Sequence, residues 1–226
     1  MHQDIQTNNI KIGIFFSIII LFATLLFSSL FKKINTDKET VFLLGRLSIW
    51  FCLFLIFLFA NQIEKQRFLL WSEISMSNSQ YLMSFLKIIG TIILGAITIG
   101  LTLKLLGSDA KQGIKFLEIL KILKNNFVLL TFTCITAGVT EELIFRGYLM
   151  PRLQLFFNKN WVSIAISSIL FGLMHIGYGT LMQLVGPLFI GIVFAIHYQK
   201  YRNIKILIFC HFFWDFMSLI MNTQLK

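Results

Sequence analysis

Apolar runs of membrane-crossing length, separated by short polar stretches, set the rhythm of this 226-residue chain. The first, "IGIFFSIIILFATLLFSSLF" from Ile12 to Phe31, carries no charge and has the length one helix needs to cross a hydrocarbon core. Further runs fall at roughly 41–60, 81–103, 127–147, 161–178, 180–198 and 204–222. An additional stretch, "IKFLEILKILKN" from Ile114, sets apolar residues at helical spacing with lysines between them, which suits a helix in the membrane interface or the foot of the next span. The pattern predicts an all-α fold, a polytopic membrane helix bundle of seven to eight transmembrane helices with a polar internal cavity. No A-x-A cleavage pattern follows the first run, and its core is longer than that of a secretory signal, so it is expected to be a helix of the mature protein.

Composition sharpens this picture. Apolar residues make up 57% of the chain and charged residues 13%, with a mean hydropathy of +0.79, far from the balance of a soluble domain. The formal net charge is +10, but the basic residues lie mostly between the runs, as in "FKKINTDKE" and "HYQKYRNIK". That placement fits contact with anionic lipid headgroups and argues against nucleic acid as a partner. Cys52, Cys134 and Cys210 sit inside apolar runs without CxxC spacing and are expected as packing residues. No internal repeat or linker appears. The simplest organisation is one continuous membrane domain, with residues 1–110 supplying helices without a motif and 111–226 the chemical core. Basic residues are nearly balanced between the two faces, so orientation stays open. Richness in Ile, Phe, Lys and Asn, which have AT-rich codons, points to a low-GC bacterium and its cell membrane.

The ten acids are unevenly placed. Asp4, Asp37, Glu39, Glu64, Glu73, Asp109 and Glu118 fall in connecting or terminal segments, whereas Glu141, Glu142 and Asp215 fall inside apolar runs, as do His175 and His211. An ionised group at bilayer depth costs about 2.5–3.5 kcal/mol even on insertion scales, so such groups usually face a polar cavity and act there. On a helix, Glu142 and Arg146 share a face and can pair, while Glu141 points elsewhere and stays available as a base for water. "FGLMH" sets Phe171 and His175 on one face, and "HFFWD" does the same for His211 and Asp215. Singly, the Glu142–Arg146 pair is compatible with a structural ion pair and His175 with an interior histidine; together they nominate one internal site. His197, at the end of its run, is expected at the interface, and Arg46 and Lys87 are expected to snorkel.

Those three motifs carry a resemblance. "EELIFR" fits EExxxR, "FGLMH" fits FxxxH and "HFFWD" fits Hxxx(N/D), in the order and on the apolar segments of the CAAX prenyl protease type II and bacteriocin-processing (CPBP, or Abi) intramembrane proteases. The likeness covers roughly residues 125–222. It implies an endopeptidase that cuts a membrane-associated peptide or protein, with Glu141 and His175 activating water, Arg146 holding Glu142, and His211 with the residue at position 215 stabilising the oxyanion. Many relatives have asparagine where this chain has Asp215; an ionised aspartate can only accept, so it must be protonated, orient His211 or bind a metal, and orientation of His211 is preferred.

Glu141, His175, His211 and Asp215 are candidate ligands should zinc or another divalent metal be required, as the classing of relatives as metalloproteases implies. No HExxH spacing occurs, and a metal-free Glu/His reaction is the preferred reading. GxSxG is also absent. Two other classes stay open: a non-catalytic scaffold or bacteriocin self-immunity factor, and a transporter, which would show inverted repeats and broken helices, Gly186-Pro187 being one place for a break. The expected substrate is CAAX-type or a small bacteriocin- or pheromone-like peptide, the latter favoured in a low-GC bacterium.

Overall fold

The computed structural model describes residues 2–34, 37–107 and 113–224. Asp109 and the 110/111 boundary lie outside the described residues, as does the side chain of Asp4. All regular structure among the described residues is helical. Helix α1 spans His2–Ile34; α2 spans Lys38–Phe59 and continues through a π turn, Ala60–Glu64. α3 is Asn78–Leu105 and α4 is Ile114–Lys124. α5 (Phe127–Thr136), two π segments (Ala137–Glu141 and Leu143–Leu149) and α6 (Met150–Phe157) form one long span. α7 (Asn160–Met174) ends in a 3-10 turn, Ile176–Tyr178; α8 (Met182–Tyr201) and α9 (Ile204–Gln224) complete the chain.

Six of these helical stretches are long and apolar enough to cross a membrane: Lys38–Glu64, Asn78–Leu105, Phe127–Phe157, Asn160–Tyr178, Met182–Tyr201 and Ile204–Gln224. They coincide with six of the expected runs. α1, 33 residues long, contains the shorter apolar stretch Asn8–Thr24, and six stretches qualify among the described residues where seven to eight were expected. At 11 residues α4 is too short to cross. Large apolar side chains such as Leu94, Ile97, Leu101 and Phe51 point outward, an arrangement that lipid would solvate and water would not. The chain is a multi-pass membrane protein.

Local chemistry places the ends. Ser77 and Gln80 form a reciprocal capping box at the start of α3, and the Asn126 carboxamide accepts from the Leu129 amide at the start of α5. Glu73, in the segment before α3, accepts from the Ile204 amide at 2.8 Å and so satisfies an orphan donor of α9. Asn158 and Arg202, both left-handed, close α6 and α8. Pro187 sits inside α8, which continues through Gly186-Pro187, the place where a transporter-like break could have fallen.

Burial corrects two sequence readings. Glu64, expected in a connecting segment, ends the α2 span, is 3% exposed and closes a buried knot. It accepts from Arg152 Nε at 2.9 Å and from the Tyr148 hydroxyl at 2.8 Å, while Arg152 Nη1 reaches the Tyr148 and Phe68 carbonyls. A Cβ on Gly13 would strike the Glu64 carboxylate, so the bare glycine lets α1 close on this knot. His197, expected at the interface, is buried and rests against the Tyr201 ring at 4.5 Å. The three cysteines are buried free thiols, as expected.

Candidate active site

The span Phe127–Phe157 carries both acids of the opening motif: Glu141 ends the first π segment and Glu142 separates it from the second. A π turn takes one extra residue, which widens the helix and re-aims the side chains around it. Gly138 lets this widened stretch approach α9: a Cβ there would lie 2.9 Å from the Ile208 carbonyl oxygen and 3.0 Å from the Phe212 nitrogen. The backbones therefore meet beside His211.

Glu142 faces inward, fully buried with Arg146. Arg146 Nη1 donates to Glu142 Oε1 at 2.9 Å, and Nη2 donates to the Gly191 carbonyl at 3.1 Å. The guanidinium lies 4.4 Å from the Phe171 ring centre and 5.6 Å from that of Phe194, so aromatic faces replace water around the cation. A Cβ on Gly191 would press on Arg146 Nη2, Phe171 and Ser168 at 3.3 Å each, which explains why α8 has a glycine there.

Glu142 Oε1 also meets His211 Nδ1 at 2.8 Å. An ionised carboxylate only accepts, so Nδ1 carries the proton of this bond. The other nitrogen, Nε2, lies 3.5 Å from Asp215 Oδ2, a longer approach. His211 thus stands between two carboxylates, held by Glu142 more closely than by Asp215. Sequence spacing exposed the His211–Asp215 relation but not the shorter contact, which joins residues 69 positions apart.

His175 ends α7. Its Nδ1 is 2.8 Å from the Phe171 carbonyl, which can only accept, so in the neutral imidazole Nδ1 holds the proton and Nε2 presents a lone pair. Phe171 lies at the centre: its ring is 5.0 Å from the His175 ring, 5.9 Å from the His211 ring, and packs edge-on to Phe145.

A cavity of about 360 Å³ opens beside these groups, and Glu141, Phe171, His175, His211 and Asp215 all line it. Most of its remaining wall is apolar, contributed by α2, α3, α4, α8 and α9. Glu141 is half-buried, and its Oε2 is buried without a hydrogen-bond partner. Among the described residues Glu141 forms no ion pair, whereas Glu142 is paired twice. The arrangement separates two adjacent acids into a neutralised one and an available one.

All six residues singled out in the sequence, Glu141, Glu142, Arg146, His175, His211 and Asp215, come together here. Sequence reasoning missed Phe194, Gly191, Tyr178 and Arg46. The first two have no signal in an apolar run; Arg46 does have one, a charge within a span, and it lines the cavity instead of snorkelling outward. Glu141, His175, His211 and Asp215, the candidate ligands should a metal be required, line one cavity, but among the described residues no group of three or more His, Cys, Asp or Glu is placed to hold an ion.

Comparison with known proteins bears on the same segment. Residues 123–217 match the family described as Type II CAAX prenyl endopeptidase Rce1-like. No curated protein and no solved structure matches the chain. The matched residues hold both acids, Arg146, both cavity histidines and Asp215, so this segment is similar to that endopeptidase family and supports the resemblance carried by the three motifs.

Proposed function

We propose that the chain is an intramembrane endopeptidase that hydrolyses a peptide bond of a membrane-associated protein or peptide with water activated by Glu141 and His175. The observation that carries this reading is the split of the acid pair: Glu142 is consumed by Arg146 and His211, while Glu141 faces the cavity unpaired, beside a histidine whose tautomer leaves Nε2 as an acceptor.

In this account a water in the cavity donates one hydrogen bond to the Glu141 carboxylate and one to His175 Nε2. As water attacks the carbonyl carbon, Glu141 takes its proton and later gives it to the departing amine. The carbonyl oxygen becomes negative and needs a donor. His211 supplies one when doubly protonated: Nδ1–H stays on Glu142 and Nε2–H turns from Asp215 to the oxyanion. Asp215, acceptor-only when ionised, cannot replace an asparagine N–H, so its role is to keep the imidazolium charged. Arg146 acts on Glu142 and is a positioning residue. The groups that activate the water and stabilise the oxyanion are all side chains of this chain, so the reaction is expected to run without added metal.

The substrate is expected to be small and membrane-associated, of the CAAX or the bacteriocin- and pheromone-like kind. Mass spectrometry of membrane-protein N-termini and released peptides, in cells with wild type or Glu141→Gln at matched levels, tests the reading. New termini that require Glu141 support it and identify the substrate. Identical profiles with both proteins abundant and folded in the host of origin point instead to a scaffold or immunity role.

A further inference from the structure

We infer that Arg46 is a carboxylate-binding subsite of the cavity, supplied by α2 from outside the family segment. This deepens the peptidase reading by naming a substrate feature: a carboxylate on the bound peptide, either its chain terminus or an acidic side chain.

Arg46 lies in the span Lys38–Glu64, where a permanently charged guanidinium is expensive unless something answers it. It lines the cavity with Phe42, one helical turn earlier, whose ring is 5.0 Å from the guanidinium carbon. The Tyr178 hydroxyl interacts with it from the turn after α7. Yet Arg46 has no carboxylate partner among the described residues, and its buried Nε has no hydrogen-bond partner. The other interior arginines each have a carboxylate, Glu142 for Arg146 and Glu64 for Arg152, although the Arg146 Nε is also without a partner.

Its position is fixed rather than incidental. Trp50, a further turn along the same face of α2, donates to the Thr136 hydroxyl at 2.9 Å and clamps this helix to the span that carries Glu141. Among the described residues lining the cavity, Arg46 is the one permanent cation, set against Glu141 and Asp215. The two acids repel an incoming anion, so a carboxylate entering the cavity is directed to the Arg46 end. A planar guanidinium also suits a carboxylate by its paired donors, and the flanking ring and phenol shield that contact from water.

The test measures retention of three labelled peptides of one apolar sequence on the full chain in detergent, carrying Glu141→Gln so that binding is read without cleavage. One peptide has a free C-terminal carboxylate, one is amidated, and one is amidated with an internal glutamate. A carboxylate-bearing peptide is expected to be retained at least about tenfold better than the plain amide. Arg46→Gln is expected to bring that ratio to near one, and Arg46→Lys, which keeps charge but loses the fork, to leave an intermediate ratio. The better-retained of the two acidic peptides identifies the source of the carboxylate. Equal retention of all three, or a preference unchanged in a folded Arg46→Gln or in Arg46→Lys, overturns the assignment. Cleavage by the chain with Glu141 intact is scored separately. Carboxylate-selective binding without cleavage removes the peptidase reading and leaves the subsite; cleavage indifferent to the carboxylate does the reverse.

Discussion

At the scale of single residues, the two neighbouring acids differ by what they touch. Glu142 Oε1 is shared between Arg146 at 2.9 Å and His211 at 2.8 Å, inside a ring of phenylalanines. Arg146→Met therefore leaves Glu142 and His211 buried without the cation, a change worth about 3–5 kcal/mol against folding. It is expected to lower the melting temperature and the folded yield, whereas Arg146→Met with Glu142→Gln together is expected to recover much of the stability and none of the cleavage. Thermal melts of detergent-solubilised variants check both. Phe171 is legible in the sequence only as one position of a motif, but in space it touches Arg146, His175 and His211 at once. Its carbonyl also fixes the His175 tautomer. Phe171→Leu keeps that carbonyl, so it is expected to weaken cleavage through looser packing, and less than His175→Ala, as initial rates on one substrate would show.

Element by element, the spans were legible because an uncharged run of about 20 residues has few alternatives to a membrane helix. The π segments were not. Nothing in "AGVTEELIFRGYL" distinguishes a π turn from an α turn locally; the preference arises where the backbone meets α9 at Gly138. Gly138→Ala puts a methyl against backbone atoms of Ile208 and Phe212, which cannot swing aside as a side chain would. That variant is expected to push α9 away, lengthening the Glu142–His211 contact and cutting activity by about 10²-fold or more through misplacement of the oxyanion donor. Comparing cleavage rates and melts of Gly138→Ala and Gly90→Ala, the latter at a position with open space around it, isolates the effect. The buried state of Glu64 was equally hidden, because its partners Tyr148 and Arg152 lie 84 and 88 positions away.

For the molecule as a whole, the motif-free helices contribute more than a scaffold. α2 and α3 wall the cavity with Phe42, Arg46, Ile92, Ala96 and Ile99, so the chemistry of residues 123–217 works in a chamber that the rest of the chain helps to build. Metal independence belongs to the proposed mechanism: cleavage by protein purified with chelator present is expected to match that of protein supplied with zinc, and a rise of about tenfold or more on adding zinc would point to a metal-assisted reaction. The central claim, that Glu141 is the base, is tested most directly by the initial cleavage rate of the purified chain in proteoliposomes, wild type against Glu141→Gln, with melting temperatures matched. A fall of about 10²–10⁴-fold with an unchanged melt is the expected result. Equal rates for the two proteins would contradict it.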